Sequence, residues 1–131
     1  MRLAVVGAHL DGQPLNHQLT DRGATFVART ETAPIYRLYA LPTDPPKPGL
    51  VRVVDGDDGA DAIEVEVWDL EPAAFASFVD AIPSPLGIAR IILDDDTDVA
   101  GFVCEPYALH GAPEVTSYGG WRAYLSAQRP G

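Results

Sequence analysis

The chain has little positive charge. Lys and Arg together number nine against nineteen Asp and Glu, a formal net charge of −10 with histidine neutral. Nucleic-acid affinity comes largely from Lys and Arg displacing counterions, and anionic membrane faces select the same residues. Neither nucleic acid nor a membrane is therefore an expected partner. Cysteine is almost missing: Cys104 is alone, so it can form no internal disulfide and cannot by itself hold a zinc. His9, His17 and His110 lack i,i+4 pairing or other metal-ligand spacing, so neither a metal nor another cofactor is expected. Long apolar runs are absent as well. The opening Leu3–Val6 stretch is closed at once by Gly7, too short for a signal peptide or a membrane span, which makes a reducing cytoplasm the expected compartment. No Gly-x-Ser-x-Gly elbow, P-loop or Gly-x-Gly-x-x-Gly occurs, which removes the commonest hydrolase and nucleotide-binding signatures.

What is present describes one domain spanning residues 1–131. Twelve Pro and twelve Gly predict short elements joined by many loops and exclude a helix bundle. Leu3–Val6 reads as a buried strand. Gly7–Arg22 reads as a long loop with a helical turn. Ala24–Arg29 and Ile35–Leu41 have the β-branched and aromatic content of strands. Pro42–Gly49 is expected to be a stiff irregular connection holding Lys47, with Leu50–Val54 a strand after it. Asp55–Asp61 should be an exposed turn. In 63–68, Ile63, Val65 and Val67 alternate with Glu64, Glu66 and Trp68, predicting a strand with one buried face and one polar face. Glu71–Ile82 predicts a helix, with Pro72 in the first turn and Phe75, Phe78, Val79 and Ile82 at helical spacing. Ile88–Leu93 and Val99–Cys104 read as a hairpin, and Gly120–Ala127 as a terminal helix packed through Trp121 and Tyr124. The class is α+β, a largely antiparallel sheet with one or two packed helices, for which a partly closed barrel is one expected form.

Several chemistry-bearing clusters have simple readings. Asp94, Asp96 and Asp98 alternate, with Glu105 at the twelfth position, but Val99 stands where a calcium loop needs Gly. A solvated hairpin turn accounts for them. Cys104 lies in an apolar strand and reads as a buried, inert thiol. Glu64 and Glu66 have the placement of an acid/base pair, yet exposed strand glutamates explain them more simply. That leaves the segment from Val6 to Asn16. A strand ending in Gly7 lets the following N–H groups turn toward a cavity as an anion-binding concavity. His9 would sit at its mouth, able to exchange a proton near neutral pH. A loop or capping histidine fits that pattern equally well.

Val6-Gly7-Ala8-His9-Leu10-x-Gly12-x-Pro14-Leu15-Asn16 resembles the opening motif of the C-terminal domain of allophanate hydrolase. The likeness continues through Thr32-Ala33-Pro34-x-Tyr36-Arg37-Leu38-Tyr39, Pro46-Lys47-Pro48-Gly49-Leu50 and Glu64-Val65-Glu66-Val67-Trp68. It extends to Pro85-Leu86-Gly87-Ile88, Gly101-Phe102-x-Cys104-Glu105 and Tyr118-Gly119-Gly120-Trp121-Arg122, nearly the whole chain. The resemblance implies a γ-glutamyl cyclotransferase-like fold, a small mixed β-barrel with one or two packed helices and the pocket beside the loop after the first strand. Gly7-Ala8-His9-Leu10 takes the place of the Tyr-Gly-Ser-Leu loop of true cyclotransferases. Where their catalytic glutamate is expected, this sequence reads Ala81-Ile82-Pro83-Ser84-Pro85-Leu86.

In allophanate hydrolase an amidase domain releases ammonia and leaves N-carboxycarbamate, and the C-terminal domain is thought to assist its decarboxylation. The likeness is to that second domain alone, since the amidase's Ser-Ser-Lys machinery has no counterpart here. It implies a small anionic metabolite as ligand and His9 as general acid/base. The N–H groups of Gly7, Ala8, His9 and Leu10 would hold one carboxylate, and Lys47, Arg37 and Tyr36 the other. Asn16 would fix the loop or touch the ligand. Three readings stay open: a decarboxylase using His9, a non-catalytic module that docks on a separate amidase subunit, and a γ-glutamyl cyclotransferase-like lyase.

Overall fold

The structure, a computed structural model, describes residues 1–128. Its main sheet has five strands in the order β2-β5-β1-β7-β6, and a separate hairpin pairs β3 with β4. β1 (Arg2–Val5) runs antiparallel to β5 (Glu64–Asp69) and parallel to β7 (Asp98–Cys104). The outer strands are β2 (Thr25–Glu31), antiparallel to β5 with a bulge between Phe26 and Ala28, and β6 (Leu86–Ile92), antiparallel to β7. The hairpin joins β3 (Tyr36–Leu41) to β4 (Lys47–Arg52). Three helices accompany the strands: α1 (His17–Thr20, a single turn), α2 (Pro72–Asp80) and α3 (Trp121–Gln128).

The continuous apolar run of β1 follows from its central place in the sheet, where both faces are covered. Leu3 and Val5 pack with Leu10, Leu19, Trp68, Phe78, Phe102 and Trp121 on one side. Ala4 and Val6 pack with Tyr36, Leu38, Leu50, Ile63 and Val65 on the other. Burying each of the larger apolar side chains contributes about 1.5–3 kcal/mol before ordering costs. α2 starts where Pro72 occupies the first turn and buries Phe78. α3 is fastened by Trp121, 1% exposed.

Three expectations are corrected. The strands do not close a barrel: edge strands β2 and β6 meet only at an isolated Thr32–Leu93 bridge and then separate. Lys47 lies in a strand, because β4 begins there and pairs Leu41 with Lys47 and Ala40 with Pro48. Pro48 is tolerated because β4 is the edge of a two-stranded ribbon, where a missing N–H can face away from the ladder. Finally, β5 has no exposed polar face. Glu66 is fully buried and Trp68 nearly so, because α3 and the loop after β1 cover that side.

Candidate functional site

The loop leaving β1 turns sharply, with the Leu10 N–H donating to the Gly7 carbonyl (3.0 Å) and the Leu15 N–H to the Ala8 carbonyl (2.8 Å). Asn16 Nδ2 donates to the His9 carbonyl (2.9 Å), so its amide braces the loop and makes no side-chain cap for α1. A Cβ on Gly7 would collide with the Pro48 ring. This absence of a side chain lets β4 press against the turn and brings Lys47 to the same cavity as His9.

That cavity, ≈ 220 Å³, is lined by His9, Gln18 and Lys47 together with Leu15, Pro45, Phe78, Ala81, Ile82, Pro83, Leu86 and Phe102. None of these is a carboxylate. The His9 ring stacks on Phe102 (centroids 5.0 Å apart, planes 15° apart) and meets Phe78 edge-on at 5.1 Å. Its Nε2 lies 2.8 Å from Gln18 Oε1. Burial pushes the imidazole below its ordinary pKa. The Gln18 bond opposes this, and the charges of Lys47, His17 and Arg22 add to the lowering. His9 is therefore neutral at pH 7. Lys47 has no carboxylate within salt-bridge distance among the described residues.

From behind, the loop is anchored by an ion pair between buried Glu66 and partly buried Arg122. The Asp11 N–H donates to Glu66 Oε1 (2.8 Å), as does Trp68 Nε1 (3.2 Å). Arg122 donates through Nη2 to Glu66 Oε2 (2.6 Å) and the Asp11 carbonyl (2.7 Å), and through Nη1 to Glu64 Oε1 (2.8 Å). Burial alone would raise the Glu66 carboxyl, but the Asp11, Arg122 and Trp68 bonds hold it below the ordinary glutamate pKa. Both glutamates thus serve this anchor, which removes them from consideration as a solvent-facing acid/base pair.

Not all the expected ligand-binding residues converge. Gly7, Ala8, His9 and Lys47 share a small alcove beside the cavity. The Leu10 N–H is consumed by the turn, whereas those of Ala8 and His9 make no backbone hydrogen bond among the described residues. Tyr36 is fully buried in the second core cluster, its hydroxyl accepting from the Ile92 N–H at 2.9 Å. Arg37 is committed to Asp57 and to Glu114 (2.7 Å). Neither lines the His9 cavity, because both belong to the hairpin stretch packed away from the β1 turn. Gln18 and the two phenylalanines around His9 were missed. A larger cavity, ≈ 880 Å³, lies between β2 and β6 and has Asp94, Asp95 and Asp98 on its rim. It contains no expected site residue.

The model of the allophanate hydrolase C-terminal domain matches residues 1–126. The chain belongs to the allophanate hydrolase C-terminal domain family. Urea amidolyase of Saccharomyces cerevisiae is 42% identical over 129 residues, which is 95% of this chain and 7% of that protein. This chain spans 7% of the length of the curated relatives it matches. Allophanate hydrolase of Kluyveromyces lactis superposes with a TM-score of 0.91 at 38% identity, covering 98% of this chain and 21% of that one. A uropathogenic E. coli-specific protein superposes at 0.87 with 33% identity, over 98% and 97% of the two chains. It shows the domain occurring with hardly any chain beyond it. An aig2-like protein from Mus musculus shares the fold alone, at 18% identity and a TM-score of 0.60. Within this allophanate hydrolase C-terminal domain, the segments around Glu66 and Arg122 build the anchor, and those around His9 and Lys47 line the cavity. No helix among the described residues is long and apolar enough to cross a membrane.

Proposed function

We propose that this domain binds N-carboxycarbamate, or a closely related small dicarboxylate of urea and allophanate breakdown, and speeds its loss of carbon dioxide. The observation that supports the reading is the meeting of His9 and Lys47 in one cavity without a carboxylate. Tyr36 and Arg37 have no part in it.

His9 is neutral in the free protein. A dianion entering beside Lys47 reverses the local balance, since nearby negative charge favours the imidazolium. The site takes up a proton as it fills. Lys47 and the N–H groups of Ala8 and His9 hold the carboxylates through charge-assisted hydrogen bonds. The C–N bond to one carboxylate then breaks. Its electron pair goes to nitrogen, which receives the proton of His9, and carbamate and carbon dioxide leave. Positioned proton donation of this kind is worth about 10²–10⁴ in rate. Phe78 and Phe102 hold the imidazole from two sides, so it need not be ordered at the moment of reaction.

A second reading is supported by relatives in which the domain is a small part of a longer polypeptide. Here the domain is a non-catalytic module that docks on a separate amidase and shapes its activity. For a cyclotransferase, the wall at Ala81, Ile82 and Pro83 supplies no acid.

The test is to generate N-carboxycarbamate with an amidase lacking this domain and follow its decay by ¹³C NMR. Acceleration by the wild type, lost in His9→Ala, supports the decarboxylase. Decay at the uncatalysed rate with every form refutes it. Co-purification with the amidase and faster ammonia release, with no change in decay, favours the docking module.

A further inference from the structure

We infer that Gln18 is the positioning residue of this site, fixing His9 as the Nε2–H tautomer so that Nδ1 exchanges the proton with ligand. The inference deepens the reading above and rests on it for the identity of the reaction, but its structural half stands alone. A neutral imidazole has one N–H and one lone pair, and which nitrogen carries the proton is set by the partner of the other. The acceptor facing Nε2 is Gln18 Oε1 at 2.8 Å. An amide oxygen only accepts, so Nε2 must donate.

Nδ1 has no partner among the described residues, and no fully buried side-chain nitrogen or oxygen there is left unsatisfied. Nδ1 therefore opens toward accessible space, and the spaces His9 lines are the cavity and alcove it shares with Lys47. Gln18 is itself held. Its N–H donates to the Leu15 carbonyl (3.0 Å), and its carbonyl accepts from Arg22 Nη1 (2.9 Å). Arg22 Nε reaches Ser77 Oγ on α2 at 3.2 Å, the helix that carries Phe78. The orientation of the imidazole is thus tied to both helices that wall the cavity. The charged and titratable groups acting on it are Lys47 from β4, His17 from α1 and Arg22 just beyond α1, all cationic or neutral. No carboxylate competes with Gln18 for the ring.

The test uses long-range ¹H–¹⁵N NMR of the His9 ring in the full chain, with Gln18→Leu and Gln18→Glu alongside. The wild type should show a pyrrole-type Nε2 and a pyridine-type Nδ1. Gln18→Glu should keep that tautomer and raise the His9 midpoint by about one unit or more, as a neighbouring carboxylate does. Gln18→Leu should mix the tautomers and lower the midpoint. In the decay assay it should reduce kcat by roughly 10–100-fold, the usual scale for losing an orienting partner, with KM little changed. A wild-type ring protonated at Nδ1, or equal midpoints in all three proteins, would overturn the inference. Absence of any decarboxylation with the expected ring behaviour would refute the reaction and leave the positioning role intact. Should Gln18→Leu fail to fold, the Gln18→Glu midpoint decides the matter.

Discussion

Replacing Glu66 by Gln tests whether the loop carrying His9 is held from behind by a buried charge. The substitution keeps the shape and leaves an amide oxygen for the Asp11 N–H and Trp68 Nε1. It also turns an NH₂ group toward Arg122 Nη2, which now donates at 2.6 Å. Breaking a buried ion pair from one side costs about 3–5 kcal/mol. Here Arg122 keeps Glu64 and the Asp11 carbonyl, so about 2–3 kcal/mol is expected. For a domain of this size that is a fall in Tm of roughly 8–15 °C. The pH dependence gives a second reading. The folded-state pKa of Glu66 is depressed, so its stabilisation is present above the unfolded glutamate pKa and is lost as pH falls through the folded value. Denaturant melts from neutral pH down to pH 3 should therefore show a shallower acid limb in the variant. A Tm within about 2 °C of wild type and an unchanged acid limb would refute the reasoning.

Other outcomes follow from the same geometry. Lys47→Met should weaken binding of a dicarboxylate about 10–100-fold by calorimetry, the scale of one charge-assisted hydrogen bond. Arg37→Met, which removes a guanidinium already paired outside the cavity, should leave that affinity unchanged. Titrations of the ligand at pH 7 in buffers of different ionisation enthalpy should show net proton uptake, because the lowered pKa keeps His9 neutral until the anion binds. No uptake would mean that His9 stays neutral in the complex. Gly7→Ala, whose Cβ meets the Pro48 ring, should cost about 1–3 kcal/mol in denaturant melts; a neutral change would show that β4 gives way easily.

The parts of the fold legible in the sequence are those set by local pattern. The run Leu3–Val6 announces a strand covered on both faces, and Pro72 with Phe75, Phe78 and Ile82 announces α2. The hairpin around Asp94–Asp98 follows from strand character interrupted by turn residues. Glu66 was misread because alternation reports only which residues share a face, not what later covers it. Its partners Asp11 and Arg122 are 55 and 56 residues away in opposite directions. Lys47 was placed in a loop because proline is counted as a strand breaker, a rule relaxed at a ribbon edge. His9 was legible from its position after Gly7. Gln18 was not, since a glutamine on a one-turn helix carries no periodic signal until the turn at Gly7–Leu10 brings the ring back to it. Tyr36 and Arg37 show the opposite case: polar groups beside a recognisable motif, drawn off by structural partners.

The Gly7–Pro48 contact has a wider consequence. The imidazole belongs to the five-stranded sheet and the ammonium to the hairpin, so the two are jaws mounted on separate bodies. Their gap is a coordinate of tertiary packing, and no local stretch of chain can reproduce it. Hydrostatic pressure or excluded cosolvents, which shift how tightly layers press together, should change ligand affinity well before the strands themselves come apart. Drift in residues lining neither jaw, such as Cys104 beneath Gly49, would retune the bite while every group that touches the ligand stays the same.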